Sequence, residues 1–276
     1  MESGLIFMMK YKIIISDYDK TLTTTDRRIT DRTKDAIKKF QENGGKFVLC
    51  TSRNLVGIET ARVPLGIDVD ALILNQGATI YDMKEKKYIA KNVLSREEVN
   101  DILGYLKNKT SNFLILFDKG GHCRKNNLYP KICNFVMASA VTPIGDKIFD
   151  YYNEDGVTQF FIGSMFASKM RHMAKKAKKY FDGKYEIGLC DKHSFNITKK
   201  GVTKGKGIEK VLEYYGLTKE EAIAFGDSQN DETMLTSVGL GVAMGNSMKE
   251  LKCVADRICD TCDNDGMAQF IEENVL

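Results

Sequence analysis

The chain has 276 residues, 43% hydrophobic and 28% charged, with 41 basic against 37 acidic side chains and a net charge of +4. That is the composition of an ordinary globular protein able to bury a substantial core in one large domain or two moderate ones, and it excludes a low-complexity chain. The weak net charge, the absence of tryptophan and the lack of an aromatic-basic stacking pattern argue against a nucleic-acid binder.

Seven cysteines, an odd number without a tight framework, predict reduced thiols and a cytoplasmic setting. Cys253, Cys259 and Cys262 cluster, but no fourth ligand completes a zinc site, and they read as small buried hydrophobes. The start MESGLIFMMK has neither the basic region nor the apolar length of a signal peptide, and no stretch is long enough to span a membrane.

The run Ile13-Ile14-Ile15 is β-branched and continuous, which predicts a strand buried on both faces, as in a parallel sheet covered by helices. It breaks into Asp17 and Asp19. If the extended backbone persists, both carboxylates point to one side, with Tyr18 opposite. Like charges this close call for a cation or a shared proton, and magnesium, a hard ion held by carboxylates and phosphate oxygens, suits them. Ordinary turn chemistry after a strand is the alternative.

Thr30 or Asp31 then caps a helix carrying Ile37 and Phe40, which Asn43-Gly44-Gly45 ends. A second strand, Lys46 to Cys50, runs into Thr51-Ser52-Arg53; a helix from about Asn54 halts near Pro64; a third strand covers Ala71 to Leu74. This alternation predicts a doubly wound parallel α/β sheet. Residues 77–90 read as a hairpin, and a helix from Ser95 to Lys107 and a strand from Phe113 to Phe117 follow. Beyond the polar loop DKGGHCRKNNLYP, mixed elements run to about Cys190. Residues 83–191 are therefore expected to form an inserted α+β cap, with residues 1–82 and 192–276 as the core. The core alternation resumes at Ser194 to Thr198, then a glycine-bounded helix after Lys204, a strand Glu221 to Phe225 running into GDSQND, a helix with Met234 and Leu235, a strand Val238 to Ala243, a helix near Ser247 and a final helix.

Four polar clusters thus follow core strands or open a core helix: Asp17 and Asp19; Thr51 and Ser52; Lys204; and Asp227 with Asn230 and Asp231. A doubly wound topology gathers such ends on one rim, where ligands bind. Taken singly, each has a plainer role as a turn, cap or surface residue. Together, DxDxT over Asp17, Asp19 and Thr21, the Thr-Ser-Arg at Thr51, the TKG lysine Lys204 and GDxxND from Gly226 to Asp231 resemble, in order and spacing, the motifs of the haloacid dehalogenase (HAD) superfamily. The large insertion is similar in size and position to the cap of its Cof-type, class IIB branch. Lys20 stands where that family most often has glycine, and Ser52 where glycine is common.

The resemblance implies a Rossmann-like core with a cap and a Mg2+-dependent phosphatase of small metabolites, sugar phosphates foremost. It makes Asp17 the nucleophile and Asp19 the general acid and base. It assigns magnesium to the Asp17 carboxylate, the Asp19 carbonyl and Asp227, and phosphate to Lys204, Thr51, Ser52 and Asn230, with Thr21 and Asp231 in support. A phosphomutase on the same fold and a catalytically silent phosphometabolite-binding regulator are the other readings. A P-loop enzyme is excluded, because in GVTKGKG a glycine follows the lysine where a hydroxyl belongs. The expected partner is a small phosphate ester, with no nucleic acid or membrane, and the chain a monomer or weak homo-oligomer. The basic segment KMRHMAKKAKKY, residues 169–180, reads as a solvated helix face. His122, Arg124, Lys125, Asn126 and His193 are polar groups without an assigned role.

Overall fold

The computed structural model describes residues 9–59, 65–125, 140–152, 156–164 and 166–276. The isoleucine run forms β1 (Ile13–Ser16), and its continuity is explained by what covers it. Ile14 enters a core layer with Ile37, Phe40, Met267 and Ile271, while Ile13 and Ile15 enter the opposite layer with Ile208, Val211, Met234 and Leu251. Helices α1 (Asp31–Glu42) and, at the carboxyl end, α8 (Gly266–Asn274) supply the first layer. Helices α5 (Lys204–Tyr215), α6 (Glu232–Leu235) and α7 (Lys249–Val254) supply the second. Thr30 caps α1 by accepting the Thr33 amide, and the helix stops where Gly45 must pass the Phe40 ring, 2.3 Å from where a β-carbon would lie.

After β1 come β2 (Lys46–Cys50), a short α2 (Leu55–Glu59), β3 (Ala71–Leu74), β4 (Thr79–Asp82) and β5 (Lys87–Lys91). With β12 (Ala222–Gly226), β13 (Leu240–Ala243) and β14 (Arg257–Ile258) they make one eight-stranded sheet in the order β14-β13-β12-β1-β2-β3-β4-β5. Pairing is parallel from β14 to β3 and antiparallel at β4 and β5. The order reverses around β1, the position where such sheets open a crevice.

A second sheet holds β6 (Phe113–Phe117), β7 (Gly120–Cys123), β8 (Val141–Pro143), β9 (Gln159–Gly163), β10 (Tyr185–Asp191) and β11 (Ser194–Lys199), ordered β10-β11-β9-β6-β7-β8. One face packs under α3 (Arg96–Leu106) and α4 (Ala167–Phe181) through Ile102, Leu106, Met170, Phe113, Phe160 and Phe195. Ser95 closes a capping box on α3 with Glu98.

Several expectations shift. The extended backbone ends at Asp17; residues Tyr18–Leu22 coil into one wide turn, with Leu22 N–H reaching the Asp17 carbonyl at 3.2 Å and Lys20 at a φ of 61°. The sheets also divide the chain elsewhere than at 83 and 191. Lys87–Lys91 remains an edge strand of the first sheet, and Ser194–Lys199 is a central strand of the second, so His193 lies in the β10–β11 hairpin and not at a return to the core. The polar loop after Phe117 contains β7, and Asn126 and Pro64 lie outside the described residues. Cys253 is exposed, unlike Cys262.

The two sheets meet through buried polar groups. Asp118, in the β6–β7 turn, accepts from Asn75 Nδ2 at 3.0 Å and Thr79 Oγ1 at 2.7 Å and pairs with Lys91 Nζ at 2.9 Å. Asn54 donates to the carbonyls of Phe117 and Gly120, and Gln159 to that of Ser52. Removing one partner strands the others without water. Asp118→Ala is expected to lower stability by about 2–4 kcal/mol in urea denaturation; a change below about 1 kcal/mol would show that the junction is not what holds the domains.

Candidate active site

β1 and β12 are parallel neighbours with Ser16 opposite Phe225, so their carboxyl ends deliver Asp17 and Asp227 side by side. The Asp17 amide continues the ladder to the Phe225 carbonyl at 3.0 Å. Lys204 reaches them from the first turn of α5, which Thr203 caps by accepting the Lys206 amide at 3.2 Å. The helix start is pressed against the turn after β3: a β-carbon on Gly77 would lie 2.2 Å from the Thr203 carbonyl oxygen. Lys204 Nζ consequently lies 2.6 Å from Asp17 Oδ1 and 2.6 Å from Asp231 Oδ1, its side chain fully buried. The other Asp231 oxygen accepts the amides of Asp227 at 3.0 Å and Ser228 at 2.9 Å. Asp231 therefore ties the lysine to the loop that carries Asp227.

Asp19 lies on the far side of the wide turn. Arg53 grips its carboxylate with both prongs of the guanidinium, Nε at 2.9 Å and Nη2 at 2.7 Å, while stacking over the Tyr18 ring at 4.9 Å. Thr51 is buried beside them; its hydroxyl accepts the Arg53 amide and its carbonyl the Gln76 amide. Asn75, Gln76 and Gly77 are all left-handed, with φ of 51°, 63° and 97°, a conformation that costs a non-glycine residue about 1–2 kcal/mol. The turn sets Gln76 between the domains: its Oε1 accepts from Asn230 Nδ2 at 3.2 Å and its amide points to Cys190 Sγ at 3.7 Å on β10. Two buried oxygens near the rim, Thr21 Oγ1 and Asn230 Oδ1, have no hydrogen-bond partner among the described residues. Ser52 meets the second sheet through its carbonyl, which accepts from Gln159 Nε2 at 2.7 Å.

The charges do not balance. Asp17, Asp227 and Asp231 offer oxygens that all lie within 4.8 Å of one another. With all three ionised, the one ammonium facing them leaves two negative charges uncompensated, the number that one divalent cation neutralises. Burial pushes Asp17 well above the usual carboxylate range despite Lys204, and Asp231, Asp227 and Asp19 add to the rise. Asp227 is raised to about 7 by burial and by Asp231. Burial opposes the charge on Lys204, but Asp17 and Asp231 outweigh it and hold the lysine well above its ordinary value. A cluster of hard oxygens with uncompensated charge fits a divalent cation. Asp17 and Asp227 have the capacity to bind it, whereas both Asp231 oxygens are already engaged and the Asp19 carboxylate is held by Arg53. Cys50, next to Thr51, is completely buried, which pushes its thiol up and leaves it inert.

A family model described as haloacid dehalogenase-like hydrolase matches residues 14–271. The chain belongs to that family. A Haemophilus influenzae protein carrying a phosphatase name is 31% identical over 276 residues, covering 96% of this chain and 98% of its own. The Escherichia coli pyridoxal phosphate phosphatase YbhA is 24% identical over 97% of this chain and its own full length. Among solved structures, a HAD subclass IIB sugar phosphatase superposes with a TM-score of 0.79 at 24% identity, over 95% of this chain and 98% of that one. This hydrolase thus shares a core and cap arrangement with its structural relatives.

Within the HAD-like core the structure brings Asp17, Lys204, Asp227 and Asp231 together, with Thr51 and Asn230 on the same rim and Asp19 turned to Arg53. Sequence reading gave no role to Arg53, although it is the third letter of Thr-Ser-Arg, nor to Gln76, whose only signal was the glycine after it. Because native Asp227 holds a proton to about pH 7 and an unfolded aspartate only to about 3.8, its burial favours folding at low pH, and that contribution is lost as pH rises between those values. In chelator, the Tm of the wild type minus that of Asp227→Asn is expected to fall from pH 5 to pH 8, and added divalent cation to reverse the fall. A difference that stays flat across this range would contradict the assignment.

Proposed function

We propose that the protein is a magnesium-dependent phosphomonoesterase of small phosphorylated metabolites, sugar phosphates foremost, acting through an aspartyl-phosphate on Asp17. What carries the reading is the setting of Asp17: a buried carboxylate at the end of a central strand, one oxygen clamped by Lys204 and Asp227 alongside. The names of the family relatives, a phosphatase in Haemophilus influenzae and a pyridoxal phosphate phosphatase in Escherichia coli, support a phosphate monoester as substrate. The sugar phosphatase shares the fold.

Asp17 attacks phosphorus in line; the bond to the leaving oxygen breaks as Asp19 gives that oxygen a proton. Asp19 then takes a proton from water, the water oxygen attacks the same phosphorus, and the bond to Asp17 breaks to release phosphate. Lys204 holds Asp17 in aim and offers charge to the phosphoryl oxygens, with Thr51 and Asn230 alongside. The cation, when bound at Asp17 and Asp227, neutralises the meeting of an anionic nucleophile with an anionic ester. In the resting protein both nitrogens of the Arg53 guanidinium grip the Asp19 side chain, so that pair must open before Asp19 reaches the leaving group.

Phosphate release from a panel of sugar phosphates, pyridoxal phosphate and p-nitrophenyl phosphate tests the reading. Release is expected to need magnesium, to stop in chelator and to vanish in Asp17→Asn; more than a few per cent of activity in that variant would sink the nucleophile assignment. Asp19→Asn is expected to lower kcat about 10²–10⁴-fold on sugar phosphates. The loss should be far smaller on p-nitrophenyl phosphate, whose leaving group needs no proton, and an equal loss on both would deny Asp19 the role of acid.

A further inference from the structure

The basic cap helix is a feature of the sequence that this chemistry leaves unused. Helix α4 buries Met170, Ala174, Ala177 and Phe181 against the second sheet. One position further along lie Arg171, Lys175 and Lys178, spaced like the first three of that stripe and therefore aligned in a row about 100° round the helix. All three are exposed, and none of their side chains forms an ion pair or hydrogen bond among the described residues. Lys184, a few residues on, behaves differently and pairs with Asp101 at 2.6 Å.

The exposed row borders a cleft of about 440 Å³ that is also lined by Gln76, Thr203, Lys204 and Asn230, from the turn and helix start that hold the nucleophile's lysine. Acids are present as well. Glu186 accepts the Gly201 amide at 2.9 Å, and Glu232 and Glu250 each sit in the first turn of a helix, where the backbone amides favour negative charge. The three cations have no such compensation, and a volume of this size accommodates a small metabolite.

Building on the phosphatase reading, we propose that Arg171, Lys175 and Lys178 form a second anion subsite, so that the preferred substrate is a phosphomonoester whose leaving group carries its own anionic group. The phosphoryl end is held at Asp17, on the rim that Asn230 and Gln76 share with the cleft, and the far carboxylate or phosphate meets the cationic row. A neutral sugar leaves the row unpaired.

The test compares glucose 6-phosphate with 6-phosphogluconate and glucose 1,6-bisphosphate. The phosphoryl end is shared, and the far group is neutral, a carboxylate or a second phosphate. In kcat/KM the wild type is expected to favour the doubly charged esters by about ten- to a hundredfold. R171A/K175A/K178A, which keeps helix propensity on an exposed face, should bring that ratio to near unity and leave glucose 6-phosphate unchanged. Carboxylate and phosphate arms separate the two sources of charge. Calorimetric titration of the same three compounds into Asp17→Asn, with and without the triple substitution, reads the subsite without turnover. If no ester is hydrolysed but the charged ligands bind more tightly through the row, the phosphatase reading fails and the subsite stands. Equal binding of all three ligands overturns the subsite, as does an equal loss for all three in the triple variant, which would assign the cations to closing the cap against Glu232 and Glu250.

Discussion

The ammonium of Lys204, 2.6 Å from both Asp17 and Asp231, is the contact on which the rest of the site depends. An unpaired buried ammonium is expensive, and so is an unpaired buried carboxylate, so each of these groups holds the others in place. Asp231 uses its remaining oxygen to fix the amides of Asp227 and Ser228, which transmits the position of the lysine to the loop after β12. A site with more carboxylates than ammoniums is poised for a cation, and its negative charge is held by packing on two sides of one sheet.

That packing explains why the sheet order matters. β1 lies between β12 and β2, so the ends carrying Asp17, Asp227 and Thr51 are neighbours, and α5 needs only a glycine at position 77 to approach closely enough for Lys204 to complete the group. The second sheet buries Phe113, Phe160 and Phe195 under its helices, and its other face carries the apolar Leu114, Leu116 and Phe161 beside Gln159, which donates to the Ser52 carbonyl.

Much of this was legible because it obeys local rules. The continuous Ile13–Ile15 run could only be a strand covered on both faces, and Lys46–Cys50, Ala71–Leu74 and Phe113–Phe117 appear with the bounds their composition suggests. The motif residues converge because topology gathers strand ends. What sequence could not supply was conformation after the strand: the chain coils at Tyr18 instead of staying extended, which sends Asp19 to Arg53 and not alongside Asp17. Strands near the segment boundaries were equally opaque. Lys87–Lys91 and Ser194–Lys199 look alike as short β-rich runs, and only long-range pairing places one on the first sheet and the other on the second.

The junction built from Asp118, Asn75, Thr79, Lys91, Asn54 and Gln159 has a consequence for modularity. Each hydrogen bond there has one partner in the catalytic sheet's segment of the chain and one in the inserted segment. A cap transplanted from a relative brings its own turn, and unless that turn presents an acceptor where Asp118 sits, the host's buried Asn75 and Thr79 lose the carboxylate that both donate to. The graft boundary runs through a polar lock whose two halves must change together.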